Sequence, residues 1–195
     1  MGKRAMEIQE YLDAGLAFEA DKSKIKPTIF VAGPFIDPND LDSADDVQKR
    51  VRYFTYNKIK EVFKFEPSIG EHDGLKLAGK LVFKDNENAH HTEMLFVRKK
   101  IHAMIMFPCS VGSFLEFGIF CWYKDICAKS LILVDERYRE STDSYMFNGP
   151  LKLAKQQNAY VEYVDYENHD AVWRIAEKFI NKIINDIYLE QEFAL

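Results

Sequence analysis

Two short runs of this chain are apolar almost throughout, and a proline follows each. Thr28-Ile29-Phe30-Val31-Ala32 ends in Gly33-Pro34, and Ile101 to Phe107 ends at Pro108. A strand with one wet face alternates apolar and polar residues; one that is apolar at successive positions is covered on both faces. Proline has no N–H for a ladder, so neither run continues past it as a central strand. Leu131-Ile132-Leu133-Val134 is a third run of this kind, and Tyr160 to Tyr166 reads as a fourth strand. Helical spacing fills the intervals, and short strands alternating with helices form right-handed βαβ units around a parallel sheet.

The helices follow from apolar spacing and end signals. Residues 4–20 read as an amphipathic helix. Ser43 is the expected N-cap of a helix over 44–62, with Asp45 and Asp46 in its first turn. Residues 63–86 mix glycines with large apolar side chains and fit either a mobile loop or two short helices. Helical spacing returns over 86–100, and Arg98-Lys99-Lys100 suits its C-terminal end. Further helices are expected over about 114–124 and 170–188. The organisation is an N-terminal helical extension over 1–27 and one α/β domain over 28–195. The fold class is a three-layer Rossmann-like or flavodoxin-like α/β fold. Its sheet is mainly parallel, of about five strands, with helices on both faces.

Composition narrows the function. Of 195 residues, 47% are hydrophobic, enough for a real core. The net charge of -5 argues against a dedicated nucleic-acid binder, which carries a basic face; nucleic acid is expected to be met indirectly if at all. The three cysteines, Cys109, Cys121 and Cys127, form no C-x-x-C pair and fit free thiols in a reducing compartment. No apolar stretch approaches the roughly 20 residues that span a bilayer, so a cytoplasmic protein without membrane attachment is expected. No metal and no cofactor are called for; His90-His91 with Glu93 lacks the i, i+4 spacing of two ligands on one helix face.

Chemistry concentrates where strands end. Ligands of parallel sheets bind beyond the strand C-termini, and two loops there are unusual. One is Gly33-Pro34-Phe35; the other is Pro108-Cys109-Ser110-Val111-Gly112-Ser113. The second leads into a helix whose apolar residues surround a single acid, Glu116. Glutamate is rarely buried without a partner or a task. Ser113 and Glu116 also fit an S-x-x-E capping box, which would explain both residues without catalysis. Gly112 lets backbone amides approach a ligand, Ser110 and Ser113 add hydroxyls, and amides at a helix start suit a phosphate. Phe35 either stacks on a flat ligand or packs. Asp37, Asp40 and Asp42 follow the first loop as a charged run. Cys109 reads as a bystander.

Ile29-Phe30-Val31-Ala32-Gly33-Pro34-Phe35 resembles the first strand and base-binding loop of nucleoside 2-deoxyribosyltransferase-like proteins. Ser110-Val111-Gly112-Ser113-Phe114-Leu115-Glu116-Phe117-Gly118 resembles their nucleophile segment. The serine six residues before the glutamate is similar to the phosphate-binding serine of the nucleotide N-hydrolase branch. In the branch acting on free nucleosides an aspartate usually holds the sugar; none lies between Pro108 and Gly118. The stretch from Arg98 to Pro150 further resembles effectors of bacterial retron-type antiphage systems.

The resemblance implies Glu116 as a nucleophile at the anomeric carbon. It implies Gly33, Pro34, Phe35, Ser110, Gly112 and Ser113 as substrate-binding residues. Asn148, which reads locally as part of a turn, would reach an active site, sometimes that of a neighbouring subunit. The expected activity is cleavage or transfer at the N-glycosidic bond of a nucleotide or nucleotide-derived cofactor. The expected partners are a nucleotide-type small molecule, a second copy in a homodimer or higher homo-oligomer, and a defence-system partner. The alternative is a non-catalytic nucleotide- or signal-binding module, or a subunit of a larger defence assembly.

Overall fold

The computed structural model describes residues 3–40, 42, 44–84, 88–141 and 143–193. The strands are β1 (Ile29–Ala32), β2 (Ala103–Met106), β3 (Ser130–Asp135) and β4 (Tyr160–Val164). They form one sheet in the order β1-β2-β3-β4, and every pairing is parallel. The helices are α1 (Lys3–Lys22), α2 (Val47–Phe63), α3 (Asp73–Phe83), α4 (Ala89–Lys99), α5 (Val111–Phe120), α6 (Lys124–Cys127), α7 (Lys152–Gln156) and α8 (His169–Phe193). No described helix is long and apolar enough to cross a membrane.

Side chains alternate across a strand; β1, β2 and β3 are buried on both faces, while the edge strand β4 exposes Tyr160 and Glu162. Ile29, Val31, Ile105, Leu131 and Leu133 pack with α2 and α8. Phe30, Ala32, Met104, Met106, Ile132 and Val134 pack on the other face with α4, α5, α6 and α7. The continuous apolar runs are therefore the signature of a three-layer fold. Helix α8 supplies Val172, Ala176, Phe179, Ile180, Ile183 and Ile184 at helical spacing. Helix α1 lies against α8, with the Phe18 and Tyr188 rings 6.5 Å apart.

The sheet has four strands among the described residues, where about five were expected. The place of a fifth, beside β1, is taken by the segment around Ser68. It meets β1 in a single parallel bridge, Phe30 with Ser68. Val31 N donates to Ser68 O (2.8 Å) and Ser68 N to Ile29 O (2.7 Å). Pro67 precedes and Gly70 follows, and both residue types interrupt a ladder. The crevice between this segment and β2, at the C-terminal end of β1, is the sheet's switch point.

Three helical segments differ from expectation. Helix α2 is capped by Asp46, whose carboxylate accepts from Lys49 N at 2.7 Å; Ser43, the expected cap, lies outside the described residues. The expectation of loop or paired helices over 63–86 resolves into one helix, α3. It packs closely on α4: a Cβ on Gly79 would stand 2.3 Å from Thr92 Oγ1. Helix α5 begins at Val111, three residues before the expected start, because Ser110 caps it.

One buried cation ties the crevice together. Arg52 on α2 is 2% exposed. Its Nε and Nη2 donate to Val31 O, its Nη1 to Pro34 O, and Nη1 and Nη2 together to the Glu71 carboxylate. All five guanidinium N–H donors are thus engaged. Gly33 has to be glycine at this spot, since a Cβ would lie 2.9 Å from Arg52 Cδ and 3.2 Å from Phe107 Cβ. Breaking a buried pair by removing one partner strands the other. Arg52→Met is expected to lower unfolding free energy by about 3–5 kcal/mol. Chemical denaturation checks this; a loss near zero would mean that Glu71 and the two carbonyls find other donors.

Candidate functional site

The crevice opens into a cavity of about 620 Å³. Gly33, Pro34 and Phe35 form one wall, and Ser110 to Ser113 with Glu116 form the opposite one. Arg52, Glu71 and Glu93 line it between them, with Gly70, Lys49 and Lys76. Phe35 is 66% exposed, so its ring is available to a ligand. Asp37 and Asp40 instead shape a turn, where Asp37 Oδ1 accepts from Asn39 N and Asp40 Oδ1 from Asp42 N. None of Asp37, Asp40 and Asp42 lines the cavity.

The start of α5 is a closed hydrogen-bond unit. Ser110 Oγ accepts from Ser113 N (3.2 Å), and Ser113 Oγ accepts from Ser110 N (2.8 Å), so the capping box joins Ser110 to Ser113. Ser113 Oγ also accepts from Cys109 N (3.0 Å) and donates to Ser110 O (3.1 Å). The expected Ser113–Glu116 box is therefore absent, and Glu116 lies in the second turn. Ser113 is 1% exposed and spends its hydroxyl on the loop. The amides of Val111 and Gly112, first and second in the helix, are left unpaired by the box and point the helix's positive end outward. A Cβ on Gly112 would meet nothing within 4 Å, so the space beside these amides is open to a ligand.

Glu116 has no capping duty and no hydrogen-bond or ion-pair partner among the described residues. Burial pushes its carboxyl up to about 7, the like charge of Glu93 adds to this, Arg52 opposes it and Glu71 raises it further. Glu93 is also raised, first by burial and then by Glu71, with Arg52 again opposing. Cys109 is pushed up to about 12, chiefly by burial, so it carries a neutral thiol at neutral pH.

Sequence reasoning missed Arg52, Glu71 and Glu93. A signal for two of them was present. Arg52 shares a helix face with Thr55, Tyr56 and Ile59, all buried, and Glu93 stands four residues before buried Val97. Glu71 follows Ile69-Gly70 in a loop and carried no such mark.

Asn148 is not brought to Glu116 within the chain. It lies in the irregular helical turn Phe147–Leu151 and lines a second cavity of about 820 Å³, on another side of α5. That cavity is larger but mainly apolar and holds no carboxylate, whereas the crevice is lined by Asp46, Glu71, Glu93 and Glu116.

Fold and crevice together define a parallel α/β protein with a ligand-sized, carboxylate-lined cleft at its switch point. Residues 48–193 match the protein family described as STM3845 retron effector protein, and the chain belongs to that family. The matched stretch holds Arg52, Glu71, Glu93, Ser110, Glu116 and Asn148. No curated protein matches the chain.

The cap of α5 and its buried acid contribute differently to stability. Ser110→Ala removes a helix cap and is expected to cost about 1 kcal/mol. Glu116→Gln should cost no cap. Glu116 is raised above its unfolded value of about 4.3, so the folded state holds the extra proton. The stability this contributes is complete below that value and is lost as pH rises through about 7. Glu116→Gln should therefore flatten this part of the stability–pH curve, measured by denaturation between about pH 4 and 8. An unchanged slope would place the proton elsewhere.

Proposed function

We propose that this chain cleaves, or transfers at, the N-glycosidic bond of a nucleotide or nucleotide-derived cofactor, with Glu116 as the attacking carboxylate. The family supports a role in antiphage defence, and this activity would be the effector's toxic step. The observation that carries the reading is Glu116 itself. It is a largely buried acid with no structural partner, set in a cavity between unpaired helix-start amides and an exposed aromatic ring.

Each part has a physical task. The amides of Val111 and Gly112, with the Ser110 hydroxyl, hold a phosphate at the positive end of α5. The sugar then lies over Glu116, and the base lies toward Gly33, Pro34 and Phe35. Glu116 attacks the anomeric carbon as the base departs, giving a glycosyl-enzyme intermediate. Its charge also stabilises the oxocarbenium character of the transition state. Water, or a second base, resolves the intermediate. Ser113 keeps the phosphate loop in shape.

Incubating the purified chain with a panel of nucleosides, nucleotides and dinucleotides, and separating the products by chromatography, tests this directly. Base release is expected from 5′-phosphorylated compounds in preference to the matching nucleosides. Glu116→Gln should reduce it by at least about a hundredfold. Ser110→Ala should raise KM for the nucleotide by roughly tenfold or more, and less for the nucleoside, since one charge-assisted hydrogen bond is worth about 1.5–3 kcal/mol. A protein that binds nucleotides without releasing base would be a sensor instead; release seen only with a defence-system partner would make the chain a subunit of a larger assembly.

The reading includes a homo-oligomer. The outer side of α5 exposes Val111, Leu115 and the neighbouring Trp122, with Tyr145 close by, at 66–86% of their surface. An apolar patch of this kind marks an interaction surface, and two-fold pairing is the commonest form. Asn148, beside this patch, would then face the neighbouring copy. Light scattering is expected to give at least a dimer. A monomer with full activity would rule out shared sites.

A further inference from the structure

Helix α1 lies before the stretch that matches the family, and no described residue of it joins either hydrophobic core. It meets α8 at Tyr188, which the Phe18 ring approaches edge-on and Lys22 Nζ covers 5.9 Å from the ring centre. A helix of this length runs about 30 Å, and both contacts fall in its last two turns. A helix left largely to itself in water is marginal. Leu12 and Leu16, four residues apart and so on one face, are 56% and 69% exposed. Toward the end of α1, exposed Phe18 faces exposed Leu189 and Phe193 of α8 across a groove of about 500 Å³, with Tyr188 and Asn185 in its lining and Lys22 and Glu192 at its rim. Contiguous apolar surface rimmed by charge marks an interaction site.

Charge decides what covers it. The sequence sets Lys3 and Arg4 at the start of α1 and Glu19 and Asp21 near its end. Glu190 and Glu192, close to the end of α8, form no ion pair among the described residues. Two copies of α1 laid parallel would set like charges together at both ends. Laid antiparallel about Leu12, they bring Lys3 and Arg4 of each copy to the acids of the other. In that register Leu12 stands opposite Leu12 and Ile8 opposite Leu16, while Glu7 and Glu10 stand opposite Ala17 and Ala14. Glu19 and Asp21 hold Lys22 and Lys24 at 2.9 and 2.7 Å, but these are exposed pairs, which bind weakly and can be shared. We propose that the N-terminal half of α1 from a second copy fills the groove between α1 and the end of α8, each copy covering the other's groove about a two-fold axis at Leu12. The same patch is used on both sides, as a two-fold interface requires. It is carried by α8, on the sheet face opposite α5, so it is separate from the apolar surface of α5.

Sedimentation of the full chain carrying Trp122→Glu isolates this interface from any formed by α5. That parent is expected to be a dimer at about 50 μM. Adding Leu12→Glu and Leu16→Glu should halve its mass, while the fluorescence of Trp173, packed against the core, stays as it was. Lys3→Glu with Arg4→Glu should weaken association roughly tenfold or more, and adding Glu190→Lys with Glu192→Lys should recover part of that loss. Leu12→Cys, on the axis, should cross-link to its own copy under mild oxidation. Ala17→Cys, about 15 Å from its copy in this register, should not, and neither should the parent, whose Cys121 and Cys127 are buried. A monomeric parent would overturn the second copy as the occupant and leave the groove to a different protein. A mass unchanged by the two glutamates, or equal cross-linking at both positions, would overturn it as well.

Discussion

The crevice depends on one buried guanidinium. Arg52 takes carbonyls from the end of β1 and from the turn after it, and a carboxylate from the loop that stands in for a fifth strand. A parallel sheet opens at its switch point because neighbouring loops diverge. Divergent loops have backbone groups with no ladder to satisfy them, and Arg52 supplies the missing donors. Its charge also sets the field of the cleft, lowering the cost of ionising Glu116 and Glu93. The same residue therefore closes the hydrogen-bond account of the fold and tempers the acids of the site.

The layered architecture was legible because both faces of β1, β2 and β3 are dry, so those strands read as unbroken apolar runs. Glu116 was legible for the complementary reason: it is an acid within an apolar helix. What escaped were contacts set by tertiary packing. Whether Ser110 or Ser113 caps α5 depends on where the chain leaves β2, and both serines suit the role. The expected fifth strand shrank to one bridge beside Pro67, a local effect that element counting does not weigh. Arg52 was hidden by company, since Lys49 and Arg50 make its segment look like a wet basic face. Glu93 was passed over beside two histidines that drew attention to metal binding. Asn148 shows a limit of another kind: a resemblance placed it near an active site, and within one chain it faces a different cavity.

The site is economical in its use of secondary structure. Helix α5 is only ten residues long, yet its first turn offers unpaired amides, its second carries Glu116 and its outer side is apolar. Phe117 and Phe120 anchor it to the sheet, which fixes the height of Glu116 above the strand ends.

The division of the core has a consequence for the chain as it is made. Glu116 belongs to the middle of the sequence, but the layer beneath β2, β3 and β4 is completed by α8, the last helix, through six buried side chains. A nascent chain that has emerged only as far as α5 possesses the acid without the packed sheet that holds its two walls apart. Assembly of the cleft is thus deferred until the C-terminal segment docks, and fragments that end before it carry Glu116 without the packed enclosure around it.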